Sequence, residues 1–499
     1  MNESSLTLTQ SKEICISITA MTAEFSWINN LDTIRSEIFR NFSEAKAFIE
    51  REQIQKKFAL TDLGNVERFI NLYPNEIRYV PEIAEFYFFD GKKWALDLGS
   101  KRTHELVDQT VRSIYHEARR ENEKTSREEI AKWALHSEHG SRRDAMVKDL
   151  KYKLMQSVDD FDCDPWLFNV LSGTIDLRTG LTLPHKYSDF LMKLAPVNFD
   201  ILAECPLWND TLNLFFKKNK SIIEYVQKLF GYSMTGVNNE RIIIFLYGRG
   251  RNGKTTITNT ILKIFGDYAA AADITSFIQS KMGKQAGSAT EDIARLRGKR
   301  YVRTSEVGGG DKLNEKLVKD ISGGDIITAR HLYRGYKDFT PTFTLWLFGN
   351  EKIKIDGQDT GIKDRVKFIN LDFQIPAEQE DKQMRERLFA EEASGILNWL
   401  LVGCLRWQSE GLAEPIEITS ATAEFFDEQD AVGQFLLDCC ICGEMNVIKF
   451  SAFYDAFIEY SVVYMSKQRF SKILHDKGYK IEAGANNKKF IFGISLKNV

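Results

Sequence analysis

The sequence predicts an α/β protein built around a phosphate-binding core, and three features carry that reading. An apolar run, Ile242-Ile243-Ile244-Phe245-Leu246-Tyr247, leads straight into Gly248-Arg249-Gly250-Arg251-Asn252-Gly253-Lys254-Thr255, the phosphate-loop pattern of strand, glycine-rich turn and helix. From Arg241 to about Phe373, short apolar strands alternate with helices, as in a parallel sheet covered by helices. The flanks have a different texture, with mixed helices and short strands before the core and helices with a small terminal unit after it.

At 499 residues the chain is long enough for about three domains. Residues 1–57 read as a polar N-terminal extension. Residues 58–200 read as a mixed α+β N-terminal domain. It opens with a helix over Asn65–Leu72 and strands over Ile77–Val80 and Phe86–Phe89, closed by the turn signal Asp90-Gly91. Residues 103–158 alternate acids and bases (Arg119, Arg120, Glu121, Glu123, Lys124, Arg127, Glu128, Glu129), the mark of solvated helix faces. Phe168–Leu183, with turns at Ser172-Gly173 and Thr179-Gly180, reads as short strands. Residues 201–240 form a helical collar whose apolar face includes Trp208, Leu212, Phe215, Tyr225, Val226 and Phe230. The core spans 241–375, a helical region 376–440, and a last unit 441–499.

With Lys+Arg at 67 and Asp+Glu at 70 the net charge is −3, so bulk composition announces no polyanion partner and a nucleic-acid site must be a local cluster of cations. Seven scattered cysteines fit a reducing compartment better than a disulfide framework, and Cys439, Cys440 and Cys442 lack a second pair at zinc spacing. Glu3 and its polar neighbours do not resemble a secretory signal. The most apolar long stretch, Gly395–Trp407, falls short of the roughly 20 residues a membrane span needs and reads as a buried helix. The expectation is a cytoplasmic protein without a membrane.

The phosphate-loop residues are there for statable reasons. Gly248, Gly250 and Gly253 let backbone NH groups turn onto phosphate oxygens, with Asn252 in the loop and Thr256 beside it, and the helix that follows aims its positive end at them. Lys254 supplies a cation for the β and γ phosphates, and the Thr255 hydroxyl a ligand for Mg²⁺. Such a loop needs a carboxylate. The strand Arg300-Tyr301-Val302-Arg303-Thr304-Ser305-Glu306 offers Glu306 as general base, with Ser305 at the metal's water shell, so the metal set reads Thr255, Ser305 and Glu306. A third strand, Phe343–Phe348, ends at Gly349-Asn350, where an amide can orient the attacking water.

The close spacing of these motifs, with Asn252-Gly253-Lys254-Thr255-Thr256, one acid after Ser305 and a strand ending in Asn350, resembles superfamily 3 helicases. Phe168–Leu177, Leu229–Gly236, Gly323-Gly324-Asp325 and Gly395–Leu400 resemble the helicase portion of phage/plasmid and poxvirus primase-helicases, and the likeness runs from about residue 60 onward. The resemblance implies an AAA+-like ATPase using ATP and Mg²⁺. It implies a ring, expected to be a homo-hexamer, moving 3′ to 5′ on single-stranded or forked DNA in the replication of a phage, virus or mobile element, in the host cytoplasm, alongside a separate primase or other replication proteins.

In that family the stretch after the catalytic acid carries a hairpin that projects into the pore. Here Lys319–Pro341 fills that place, and Lys319, Arg330, His331, Arg334 and Lys337, interleaved with Tyr333 and Tyr336, suit phosphates and stacked bases. Family members show an aromatic residue and two arginines where this chain has Lys363-Asp364-Arg365. Arg365 is therefore the candidate for the cation on the γ phosphate, from a neighbouring subunit or in cis. The last unit resembles a winged helix, with helices over Phe450–Tyr464 and Ser466–Asp476, a wing around Gly484-Ala485-Asn486-Asn487, and Lys467, Arg469 and Lys472 as DNA contacts. Asp162-Cys163-Asp164 is a D-x-D match too short to stand for a primase centre, so no primer synthesis is expected. The alternative class is an ATP-dependent initiator or defence switch that binds DNA without processive unwinding.

Overall fold

The computed structural model describes residues 57–248, 250–279, 291–330, 336–355, 360–376, 378, 381–461, 465–483 and 489–497. Almost all of the N-terminal extension, Arg249, His331, Tyr333, Arg334 and the wing residues 484–487 lie outside them. The chain divides into two units.

The first unit comprises the described residues up to Leu72 together with Leu106–Asp149. It holds α1 (Asp62–Leu72), much of α2 (Lys101–Arg120), α3 (Lys124–Ser137) and most of α4 (Gly140–Lys153). Arg68 is 1% exposed and pairs with Glu117 in bidentate fashion, Nε and Nη2 donating at 2.8 and 2.9 Å, the geometry in which a buried guanidinium is best compensated. Asn65 ties α1 to α3, donating to the Ser137 hydroxyl and accepting from the Trp133 indole at 3.0 Å each.

The second unit comprises Tyr73–Glu105 and the described residues from Leu150 on. Two small antiparallel sheets come first, β1 (Ile77–Val80), β2 (Glu85–Phe89) and β3 (Trp94–Leu96), then β4 (Leu167–Val170), β5 (Gly173–Asp176) and β6 (Leu181–Leu183). Helices α5 (Pro206–Phe215) and α6 (Lys220–Tyr232) lead into the core. The core runs β7 (Ile243–Tyr247), α7 (Lys254–Phe265), β8 (Ala269–Ala272), α8 (Glu291–Ala294), β9 (Tyr301–Val307), α9 (Glu315–Gly323), the hairpin β10 (Ile327–Arg330) and β11 (Tyr336–Phe339), β12 (Thr344–Gly349), α10 (Thr360–Lys363) and β13 (Val366–Asn370).

Five of these strands pair in parallel in the order β13-β7-β12-β9-β8. Taken in chain order they stand fifth, first, fourth, third, second, so the first strand is interior, flanked by the fifth and the fourth, and its C-terminal end opens between these two neighbours, where parallel sheets place ligands. The two faces carry separate cores. One joins Trp346, Phe348 and Tyr301 to Ile257, Ile261, Ile264 and Phe265 of α7, and the other joins Val302, Val307, Leu345 and Leu347 to Phe425 and Phe426.

Helix α11 (Met384–Glu410) lies on the α7 face and is far longer than the apolar stretch alone suggests. By length and composition it could cross a membrane, yet half of its most apolar window is buried inside the protein. It is a core helix. A Cβ on Gly403 would lie 2.2 Å from the Gln227 carbonyl oxygen, and one on Gly231 would lie 2.1 Å from the Cys404 nitrogen, so glycines on both sides bring the backbones of α6 and α11 together.

After α12 (Ile416–Asp427) the chain ends in α13 (Ala431–Cys439), β14 (Cys440–Lys449), α14 (Phe450–Tyr460), α15 (Lys467–Asp476), β15 (Ile481–Ala483) and β16 (Lys489–Leu496), with sheet order β14-β16-β15. Phe453, Phe457, Phe470 and Leu474 form its centre. Strand β14 is not announced by the sequence, because Gly443, Glu444 and Asn446 read as a turn. The pairing with β16 is indeed irregular between Cys442 and Val447.

Candidate functional site

Strand β7 is apolar because it is central and covered on both faces, and it delivers the loop that follows Tyr247. The glycines there are structural requirements. A Cβ on Gly248 would lie 1.8 Å from Asn252 Nδ2, and Gly253, at φ +80°, would put one 1.9 Å from the Phe215 ring. Helix α7 begins at Lys254 with no side chain capping its first turn, so its leading NH groups keep their capacity for an anion. Two bonds strap the loop to the segment after β13, from Asn252 Nδ2 to the Leu371 oxygen at 3.1 Å and from the Ile375 nitrogen to the Arg251 oxygen at 2.7 Å.

Lys254 is 3% exposed. Its ammonium donates to three oxygens, Gly248 O at 2.5 Å, Asn252 Oδ1 at 2.8 Å and Asn350 Oδ1 at 2.8 Å. Burial lowers its pKa, partly opposed by the charge of Glu306. A cation held by neutral oxygens in a pocket of NH groups is suited to a polyanion.

Glu306 reaches this place through a bulge. Arg303 pairs with Trp346 but Glu306 with Phe348, so β9 carries one extra residue opposite β12. The consequence is a change of face. Tyr301 lies in the α7-side core and Val307 in the opposite one, although strict alternation would put them together, so the acid between 305 and 307 shares the face of Phe348 and α7. Asn350, one residue beyond β12, then links everything. Its Oδ1 accepts from Lys254 Nζ and from the Gly250 nitrogen at 3.1 Å, and its Nδ2 donates to Glu306 Oε2 at 3.3 Å.

Thr255 is exposed and Thr256 half-buried at the start of α7. The uncapped helix start, the buried ammonium, the exposed Thr255 hydroxyl and the Glu306 carboxylate form a donor set that fits a nucleotide phosphate with a hard divalent cation. The Ser305 Oγ accepts from the Ile274 nitrogen at 2.9 Å, which leaves its O–H and a second lone pair for another partner. Arg365 lies at the other end of the sheet. Its carbonyl accepts from Ile243, the first residue of β7, at 2.8 Å, and its Nη1 donates to the Gly361 oxygen. The five-residue strand β7, about 16 Å at roughly 3.3 Å per residue, separates it from the loop, too far for the side chain to reach in cis.

Among the expected nucleic-acid contacts, Lys319 is half-buried on α9, and only the backbone of Arg330, Tyr336 and Lys337 is described, on β10 and β11. Lys467, Arg469 and Lys472 are exposed along α15, whose Phe470 and Leu474 face the core, and the Lys467 ammonium sits 5.1 Å from the Tyr454 ring centre. Sequence reasoning missed Phe215 as the seat of the loop. The phenylalanine at the end of α5 carries no motif, and only its apolar spacing was available to find it.

A central strand feeding a glycine-rich loop and an uncapped helix defines the chain as an α/β protein of the phosphate-loop class. Residues 66–217 match the family model described as "D5 N terminal like". The chain is 27% identical over 301 residues to "Putative helicase L207/L206" of Acanthamoeba polyphaga mimivirus, covering 56% of this chain and 31% of that protein. It is 25% identical over 363 residues to "Putative helicase 022R" of Frog virus 3 (isolate Goorha), covering 56% and 37%. The apo structure of the NrS-1 C terminal region aligns over 86% of this chain and 100% of that one at 10% identity and a TM-score of 0.48. The chain thus carries a D5 N-terminal-like segment and is similar to putative viral helicases and primases, and it spans about a third of the length of the curated relatives it matches.

Proposed function

We propose that this chain is an ATP-driven DNA helicase of the superfamily 3 type, working as a ring, most simply a homo-hexamer, on single-stranded or forked DNA during viral or phage replication in the host cytoplasm. The observation that carries the reading is the bonded set Lys254, Asn350 and Glu306 at the mouth of the central strand. The fifth-first-fourth-third-second strand order supports an AAA+-like core. The helix-strand-helix-helix-strand-strand order of the last unit supports a winged helix presenting Lys467, Arg469 and Lys472 to DNA.

In this reading Lys254 and the loop NH groups hold the phosphates of ATP, and Thr255 and Glu306 hold Mg²⁺. When bound, the ion neutralises charge on the β and γ oxygens. Asn350 orients a water against the γ phosphorus, and Glu306 takes its proton as the oxygen–phosphorus bond forms and the bond to the bridging oxygen breaks. Arg365, remote from its own loop, serves the loop of the next subunit, where charge builds on the transferring group. Work on DNA falls to the hairpin carried by β10 and β11, and priming to a separate protein.

The test is strand displacement on a fork with a 3′ tail, comparing wild type with Lys254→Ala and with Arg334→Ala/Lys337→Ala. ATP-dependent unwinding lost in both variants, with ATP hydrolysis kept in the hairpin variant, is the expected result. DNA binding and hydrolysis without any unwinding by the wild type would replace the motor with an initiator or switch.

A further inference from the structure

Asn238 belongs to no motif and lies in the connection between α6 and β7, five residues ahead of the central strand. Its Nδ2 donates to two carbonyls that are far from it in sequence and lie on opposite sides of one element. One is Pro341 O at 2.5 Å, on the chain leaving β11 for β12. The other is Ile321 O at 3.4 Å, in the last turn of α9, which feeds β10. The carbonyls of a last helical turn lack intrahelical partners, so the second bond answers a real vacancy in the backbone. The turn itself closes through Gly324, at φ +75°, and a bond from the Asp325 nitrogen to Asp320 O at 3.1 Å.

One amide therefore clasps both feet of the β10–β11 hairpin. The same connection continues into β7 and the phosphate loop, while the outgoing foot continues into β12 and ends at Asn350, against Lys254 and Glu306. Two of the routes from the hairpin to the nucleotide site, through β7 and through β12, meet at Asn238. We infer that Asn238 is a positioning residue that couples the hairpin to the phosphate site, so that DNA on the hairpin and nucleotide on the loop sense each other. The inference rests on the motor reading above. It concerns transmission, since Asn238 touches neither candidate ligand.

The experiment compares the full chain with Asn238→Asp, which turns the donor into an acceptor facing two carbonyls, and with Asn238→Ala, which removes it without charge. ATP turnover is measured with and without a single-stranded oligonucleotide, and backbone amide exchange is followed over residues 325–330 and 336–343. The expected result is basal turnover within about twofold of wild type, DNA stimulation reduced to none, base pairs opened per ATP down at least tenfold, and faster exchange at both hairpin feet. A purely structural asparagine would lower both turnover values together and keep their ratio. Stimulation retained in both variants, or unchanged exchange, overturns the coupling role while leaving the motor reading in place. A wild type whose turnover ignores DNA overturns the motor reading and the coupling with it.

Discussion

Replacing Gly253 by alanine tests the construction of the phosphate loop with a magnitude that can be worked out beforehand. At φ +80° a residue with a Cβ loses about 1–2 kcal/mol of backbone energy. The same Cβ, 1.9 Å from a Phe215 ring carbon, forces the ring or the loop aside, and overpacking of this kind costs about 1–3 kcal/mol. Gly253→Ala should therefore destabilise by about 2–5 kcal/mol. Phe215, 4% exposed, should cost about 3–5 kcal/mol when cut to alanine. The double variant, however, has no ring to strike, so its loss should fall short of the sum by about 1–3 kcal/mol, leaving the backbone part. Equilibrium urea unfolding of the four proteins measures the coupling, and titration with a fluorescent ATP analogue reads the loop itself. Affinity should fall at least tenfold in Gly253→Ala and recover in part in the double variant. Additivity within about 0.5 kcal/mol would refute the claim that Phe215 seats the loop.

Four other outcomes are expected. Lys254→Met should lower ATP hydrolysis by at least about a hundredfold with an unchanged circular dichroism spectrum, since the stem's volume is kept and only the charge is lost. Because burial lowers the Lys254 pKa, its cation is present below that pKa and is lost as pH rises through it, so nucleotide affinity should decline on the alkaline side earlier than an exposed lysine would allow, a limb absent from Lys254→Met. Asn350→Ala should cut hydrolysis by about 10²–10³ while nucleotide affinity, measured by calorimetry, stays within a few-fold. Reversing Lys467, Arg469 and Lys472 to glutamate should weaken single-strand binding and flatten the slope of log affinity against log salt by about 2, read by fluorescence anisotropy.

Much of the core was readable because its signals are local. A central strand must be apolar along its whole length, and a phosphate loop must be glycine-rich, so residues 242–255 announce themselves. The strand ending near Asn350 was readable for the same reason, whereas the strand ending at Glu306 is less apolar than a buried strand usually is and was found from the acid at its end. What was hidden depends on partners distant in the chain. A count in twos places Glu306 on the face of Val302, away from α7, and only the extra residue paired against β12 turns it back. Phe215 and Asn238 act through contacts with residues remote in sequence, and nothing local marks them. Within the helical region expected over 376–440, only Gly395–Trp407 stood out as buried, because Arg385, Glu386 and Arg387 interrupt the apolar signal at the start of α11, while Leu388 and Glu392 continue inward. The buried Glu392 is explained only by the fold, since its carboxylate accepts from the first backbone nitrogens of α5, Leu207 at 2.7 Å and Trp208 at 2.8 Å.

The position of Arg365 has a consequence for symmetry. It sits where the central strands begin, whereas Lys254 sits where they finish. A contact that carries one copy's arginine to another copy's loop must join two different patches, so it cannot be the self-matching contact of a two-fold dimer. Each copy would keep one patch unused on one side and one on the other, and every added copy would restore the same pair of open ends. Assembly stops only when the rotation between neighbours divides a full turn, and otherwise it continues as a helix. In a ring of the proposed kind the subunit count would be set by a single angle at that contact, and a mutation that tilts it by a few degrees would change a closed particle into an open one without touching any residue at the nucleotide.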